Sequence, residues 1–180
     1  VLYLVFGMAP PSDGDSLNYH LALPQRDLEI GFIAPLPGRS VAYLYPALME
    51  MLYRTALAFG RPEAAQIIHG IFGIGAGLVS ILLARRIGLS LRYAMFAGIF
   101  FLLVKGVLSM SGSCYVDLGF AFFTATALLL LMIANELDYP PSLGLLLGLL
   151  VGAMMNVKYH GFVIAVIIGA IVAITCVPKH

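Results

Sequence analysis

The stretch Ala64-Ala65-Gln66-Ile67-Ile68-His69-Gly70-Ile71-Phe72-Gly73-Ile74-Gly75-Ala76-Gly77-Leu78-Val79-Ser80-Ile81-Leu82-Leu83-Ala84 decides the fold. It is apolar for about the 20 residues that a helix needs to cross a bilayer core. Arg85-Arg86 closes it. Lipid offers no water to backbone N–H and C=O groups, so such a run must be helical. Four further apolar runs follow: Tyr93–Leu108, Leu118–Ala134, Leu143–Val157 and Phe162–Val177. Several are short, and their weakly polar ends extend them. Val1–Met8 is too short to span and reads as the tail of a helix whose start is missing. The C-terminus also stops just after an apolar run. The expectation is a piece of a larger protein.

Composition agrees. Hydrophobic residues make up 61% of the 180-residue chain and charged residues 11%, against about 45–50% and about 25% in soluble domains. So few charges cannot cover the surface of a soluble protein of this size, and disorder is excluded by the same balance. The net charge is +1. No Lys/Arg run follows a phosphate backbone, so nucleic acid is not an expected partner. Cys114 and Cys176 form neither a disulfide framework nor a metal motif. The expected fold class is an all-α integral membrane protein, a polytopic helix bundle with two amphipathic interfacial helices in its first outward loop. It reads as a single transmembrane domain over residues 1–180. Residues 1–9 end a first span, 10–62 form the outward loop, and 63–180 hold five further spans.

Sidedness follows from short-loop positive charge. Arg85, Arg86 and Arg92 share one loop and mark the cytoplasmic side. The segment before Ala64 and the turns near Ser109–Tyr115 and Lys158 then face the periplasm, exterior or lumen. The loop from Ala9 to Pro62 holds most of the prolines and most of the acidic residues. Leu17, Leu21 and Leu28 follow helical spacing, with Asn18, Gln25 and Glu29 off that stripe. Tyr43–Phe59 interleaves Tyr, Leu and Met with Glu50 and Arg54 at i,i+4. Both read as helices lying on the outer membrane surface, joined by a Gly/Pro linker at Gly31–Gly38. The small residues at Gly73–Gly77 and Gly144–Gly152 read as helix contacts.

Three charged residues stand out on the outward side. Asp15 directly follows the first partial span. Capping of the next helix and chemistry are both open for it, since Asp before Ser16-Leu17-Asn18 suits an N-cap. Asn18 and Tyr19 share its face in an α-helix. Asp117 opens a long apolar helix, where the helix dipole favours a carboxylate. An ionisable group at membrane depth is equally a functional candidate. Lys158 either snorkels at a helix end or joins the two carboxylates in an acid/base and phosphate site. His20 and His160 could join such a site, although packing or hydrogen bonding is the commoner role for a lone histidine. The D-x-D pair, Asp13 and Asp15, can hold a divalent cation.

In order along the chain come Asp15-Ser16-Leu17-Asn18-Tyr19-His20-Leu21, Pro46-Ala47-Leu48-Met49-Glu50-Met51-Leu52-Tyr53, Ala84-Arg85-Arg86, Tyr115-Val116-Asp117-Leu118 and Lys158-Tyr159-His160-Gly161. This order resembles the N-terminal half of a polytopic GT-C class glycosyltransferase. The similarity is to the protein O-mannosyltransferase and aminoarabinose-transferase superfamily, including the RgtA/B/C/D-like domain. It implies transfer of a sugar from a polyprenyl-phosphate donor to a lipid, protein or glycan acceptor, with inversion. It implies Asp15 and Asp117 as catalytic carboxylates, and Lys158 with Tyr159 at the donor phosphate. Asn18, Tyr19 and His20 are the candidate substrate-binding residues. Asp13, Asp15 and Asp117 are the candidate ligands should a divalent metal take part, and no cofactor is otherwise implied. It also implies a bacterial inner membrane location with the site facing the periplasm. A transporter or flippase fragment and a non-catalytic membrane assembly subunit are the alternatives. The first needs ionisable groups at mid-span, whereas here they cluster at the ends.

Overall fold

A computed structural model describes residues 2–31 and 44–176. Every regular element among the described residues is a helix. Helix α1 (Leu2–Gly7) leads through a π-helical turn (Ser16–His20) into α2 (Ala22–Ile30). Then follow α3 (Leu48–Ala58), α4 (Pro62–Arg86), α5 (Leu91–Leu103) and α6 (Lys105–Met110). Helices α7 (Asp117–Glu136), α8 (Pro141–Val157) and α9 (His160–Cys176) complete the chain. Gly31 ends α2 in the left-handed region at φ 79°, a conformation that glycine adopts without strain. The rest of the expected linker, 32–38, lies outside the described residues.

Two helices among the described residues, α4 and α7, are long and apolar enough to cross a membrane. At 1.5 Å per residue the 25 residues of α4 reach about 38 Å. Pro62 begins it, where a missing N–H costs nothing. Helices α5, α8 and α9 are shorter apolar helices with many large side chains exposed, among them Phe96, Phe100, Leu145, Leu149, Val163 and Val166. That outward apolar surface suits lipid. The chain is a helical membrane protein, with α2 and α3 as shorter helices lying at one end of the bundle.

Two packed clusters hold the molecule. One joins α7, α8 and α9 through Ala127, Leu131, Leu147 and Ile168. The other lies where α4 begins and α8 ends, and includes Leu21, Met49, Tyr53, Ala65, Cys114, Val116 and Val157. Met49 and Tyr53 are fully buried there. Truncating a side chain such as Met49 to alanine costs about 2–5 kcal/mol, so α3 is anchored by packing and not merely laid on the bundle. At the far end Arg86 donates to both carboxylate oxygens of Glu136, the Nε–Oε1 contact being 3.0 Å. This places the C-terminal ends of α4 and α7 together, opposite the end that carries Asp117 and Lys158.

Two details differ from the sequence reading. The segment expected as one span, Tyr93–Leu108, breaks at Val104, whose ψ is 126°. The break falls directly before Lys105, the one charged residue of that stretch, which is exposed. A cation is costly within hydrocarbon, and the break sets Lys105 at the start of a new short helix, α6. The glycines of α8 also differ. Ideal Cβ atoms at Gly144, Gly148 and Gly152 would meet nothing within 4 Å. By contrast, a Cβ at Gly73 would lie 2.8 Å from Leu118 Cδ1, one at Gly75 2.8 Å from Phe122 Cδ2, and one at Gly77 2.8 Å from Leu102 Cγ. Of the glycines in the two stretches expected as helix contacts, only those of α4 lie close against other helices among the described residues; α8 packs instead through Leu147, Leu150 and Val151.

Candidate active site

The site is assembled by the loop 111–116 between α6 and α7. His69, buried in α4, bridges that loop. Its Nδ1 donates to the Met110 carbonyl at 3.0 Å and its Nε2 accepts the Leu118 N–H at 3.1 Å. The Leu118 N–H belongs to the first turn of α7, where helix geometry leaves donors without a partner. His69 therefore satisfies the start of α7, and the side chain of Asp117 is released for another partner. Tyr53 of α3 donates its hydroxyl to the Tyr115 carbonyl of the same loop.

Asp117 turns toward the junction of α8 and α9. Lys158 Nζ donates to Asp117 Oδ1 at 2.6 Å. Both side chains are about one-third exposed. Lys158 is extended, with φ −154° and ψ 144°, because α8 must end and α9 restart within a few residues. Gly161 permits that close approach: a Cβ there would lie 2.6 Å from the Met154 carbonyl oxygen and 2.7 Å from Met155 Cα. The glycine of Lys158-Tyr159-His160-Gly161 is thus required by backbone crowding.

The N-terminal candidates are held by a second network. Ser16 donates its backbone N–H to Asp13 Oδ1 at 2.8 Å and its hydroxyl to Asp13 Oδ2 at 2.6 Å. The buried Ser16 Oγ accepts the Cys114 N–H at 2.8 Å. This ties the π-helical turn to the loop 111–116. The capping considered for Asp15 falls to Asp13. Asp15 itself makes no capping hydrogen bond and is exposed. The turn also closes with an i→i+5 bond, Leu21 N–H to Ser16 O at 2.9 Å. That wider turn alters the spacing expected of an α-helix. Ser16 and His20 are buried, Tyr19 is half-buried, and Asp15 and Asn18 are exposed.

A cavity of about 170 Å³ opens between the surface helices and the α8–α9 junction. Tyr19, His20, Tyr45, Glu50, Lys158 and Tyr159 line it, together with His160 and apolar neighbours. Of the expected site residues, Lys158, Tyr159, Tyr19 and His20 are therefore in the wall, and Asp117 joins through Lys158. Asp15 and Asn18 are not among the lining residues. Burial and the negative charges of Asp15 and Glu50 push the Tyr19 hydroxyl up to about 12, with smaller contributions from Tyr45 and Asp117. Tyr19 thus stays a hydrogen-bond donor at physiological pH. Tyr45 stands edge-on to both Tyr19 and Tyr159, with ring centroids 6.2 and 6.0 Å apart.

The sequence reading placed Glu50 beside Arg54 on a surface helix and did not number it among the site residues. In the structure Glu50 Oε1 lies 2.5 Å from His20 Nδ1. The Pro46–Tyr53 stretch carried the signal, as a lone carboxylate amid apolar residues. The expected metal set, Asp13, Asp15 and Asp117, is not gathered: among the described residues no group of three His, Cys, Asp or Glu side chains is placed to hold a metal ion. Asp13 is committed to Ser16, and Asp117 Oδ1 to Lys158. This donor set does not fit a metal site.

No curated protein and no solved structure matches the chain. A family model does match, over residues 43–179, and its description is dolichyl-phosphate-mannose-protein mannosyltransferase. The matched region contains Glu50, Asp117, Lys158 and Tyr159, while Asp15, Tyr19 and His20 precede it. A match over most of the length, on a helical membrane scaffold with a charged cavity at one end, assigns the chain to the dolichyl-phosphate-mannose-protein mannosyltransferase family.

Proposed function

We propose that this membrane glycosyltransferase moves a sugar from a polyprenyl-phosphate donor to an acceptor hydroxyl at the outward face of a bacterial inner membrane, with inversion. The observation that carries the reading is Lys158, in the cavity wall and paired with Asp117, between the apolar helices on one side and the surface helices on the other. A lipid-linked donor must keep its chain in the bilayer while its sugar meets a polar acceptor. A cavity at the end of the bundle answers both needs.

In this reading Lys158 neutralises the phosphate that departs, a charge that grows in the transition state. Asp117 fixes the ammonium group, and Tyr159 stands next to it. Tyr19 donates a hydrogen bond to sugar or phosphate oxygens. Asp15 and Asn18, exposed beside Tyr19, serve the approach of the acceptor. A protein, glycan or lipid hydroxyl all fit this chemistry.

The experiment is transfer of labelled mannose from a polyprenyl-phosphate donor by the purified protein in vesicles, with donor binding measured alongside. Lys158→Ala weakens donor binding and slows transfer by roughly 100-fold or more, the scale of one lost charge-stabilising contact. Wild-type protein that neither binds nor consumes such a donor would falsify the reading.

A further inference from the structure

The ends of α4 and α7 opposite Lys158 carry a second cavity, which the transfer chemistry leaves unused. It holds about 340 Å³ and is lined by Leu82, Arg85, Arg86, Leu129 and Ile133. That volume falls in the range of about 300–1,000 Å³ typical of ligand pockets. Leu82 stands one turn before Arg85 and Arg86, and Leu129 and Ile133 stand two turns and one turn before Glu136. At 1.5 Å per residue the apolar lining reaches about 10 Å from Glu136 toward the middle of the two long helices. The groove is hydrocarbon along its length and guanidinium at its mouth.

The two guanidinium groups differ. Arg86 donates to both oxygens of the Glu136 carboxylate, which offsets its charge. Arg85 has no carboxylate partner among the described residues. Its Nη1 donates to the Leu89 carbonyl at 2.8 Å, across the turn between α4 and α5. An arginine has five N–H donors, so this bond tethers the group and leaves most of its donors for another partner. Sidedness and the helix dipole account for basic residues at this end. Neither accounts for an apolar groove beneath a tethered cation without an anion. That combination matches an amphiphile with a negative head, as when basic pockets between membrane helices take anionic lipid head groups.

We propose that the α4–α7 groove binds an anionic phospholipid of the surrounding bilayer. Its phosphate meets Arg85, and one acyl chain lies along Leu82, Leu129 and Ile133. Charge complementarity selects this occupant. A zwitterionic lipid brings its own ammonium group toward Arg85, and a free phosphate leaves the apolar wall uncovered. The inference needs only the membrane scaffold and is independent of the transferase reading.

The test uses the full chain, purified in neutral detergent. Native mass spectrometry counts the lipids retained after addition of dioleoylphosphatidylglycerol or dioleoylphosphatidylcholine. The wild type binds the anionic lipid more tightly by about fivefold or more, the scale of one basic residue at a lipid head group. Arg85→Gln removes that preference. Leu82→Trp fills the groove from a position 52% exposed and keeps both arginines, and it lowers retention of the anionic lipid by a similar factor. Arg92→Gln alters an exposed arginine outside the groove lining. It leaves retention within about twofold, because an exposed charge is screened. Thermal unfolding without lipid stays near wild type for all three variants, as exposed substitutions do. Equal retention of the two lipids overturns the proposal. An equal loss in Arg92→Gln also overturns it, by making the attraction a diffuse surface charge. Displacement by inorganic phosphate but not by chloride makes the groove a free-phosphate site, and Arg85-dependent displacement by a polyprenyl phosphate makes it a donor-lipid site. Either result overturns the assignment to a bilayer phospholipid.

Discussion

Ser16 gives both of its hydrogen-bond donors to the carboxylate of Asp13, at 2.8 Å from the backbone N–H and 2.6 Å from the hydroxyl. Asp15, two residues on, makes no such bond. Asp13→Ala should therefore cost about 1 kcal/mol of stability, the usual worth of a helix cap. Asp15→Ala should stay within about 0.5 kcal/mol of wild type, as an exposed substitution does. Thermal unfolding in detergent compares the two. A larger loss for Asp15→Ala would reverse the assignment.

The Lys158–Asp117 pair is about one-third exposed on both sides. Screening by solvent holds its contribution to stability below about 1 kcal/mol. Asp117→Asn and Lys158→Ala should unfold near the wild-type temperature yet lose most transfer. Thermal melts run beside the transfer assay separate these effects. Collapse of the fold in either variant would make the pair structural.

Gly161 and Gly148 should respond in opposite ways to alanine. A Cβ at Gly161 meets the α8 backbone at 2.6–2.8 Å, whereas one at Gly148 meets nothing within 4 Å. Gly161→Ala should destabilise by about 1–3 kcal/mol through overpacking. Gly148→Ala should be neutral or gain up to about 1 kcal/mol in helix propensity. Equal responses would contradict the close approach at the α8–α9 turn.

Burial and the charge of Asp13 push the Cys114 thiol up to about 12, against a smaller opposing effect of Ser16. Cys114 is fully buried, while Cys176 is exposed, and both are free thiols. Thiolate is the reactive form, so a maleimide at neutral pH should label Cys176 and spare Cys114 until the protein is unfolded. Mass spectrometry of the labelled protein reads the outcome. Rapid labelling of Cys114 under native conditions would show that the 111–116 loop opens.

Tyr19 supplies a pH dependence. Its pKa is pushed from 10.0 up to about 12 in the folded state. Above pH 10 the unfolded chain releases this proton and the folded chain holds it. Stability from this group is complete below pH 10 and is lost as pH rises toward about 12. Tyr19→Phe should flatten alkaline unfolding over that range. An unchanged alkaline profile in Tyr19→Phe would remove Tyr19 as a contributor.

Ala64–Ala84 and Leu118–Ala134 announced their helices because length and apolarity leave lipid-exposed backbone no other choice. The placement of Asp117 and Lys158 at one end followed from counting crossings from the Arg85-Arg86 loop. Those are one-dimensional properties, and the sequence by itself determined them. The partner of Glu50 was not legible. Its i,i+4 neighbour Arg54 lies on the same helix, whereas His20 is 30 residues away on another element. Which of the two Glu50 meets depends on how the surface helices pack over Met49 and Tyr53. That Asp13, and not Asp15, bonds Ser16 was equally hidden, because the turn that follows is not the α-helix that Asp15 was expected to cap. Apolar length is written along the chain, but hydrogen-bond partners are chosen in three dimensions, and only the tertiary structure decided them.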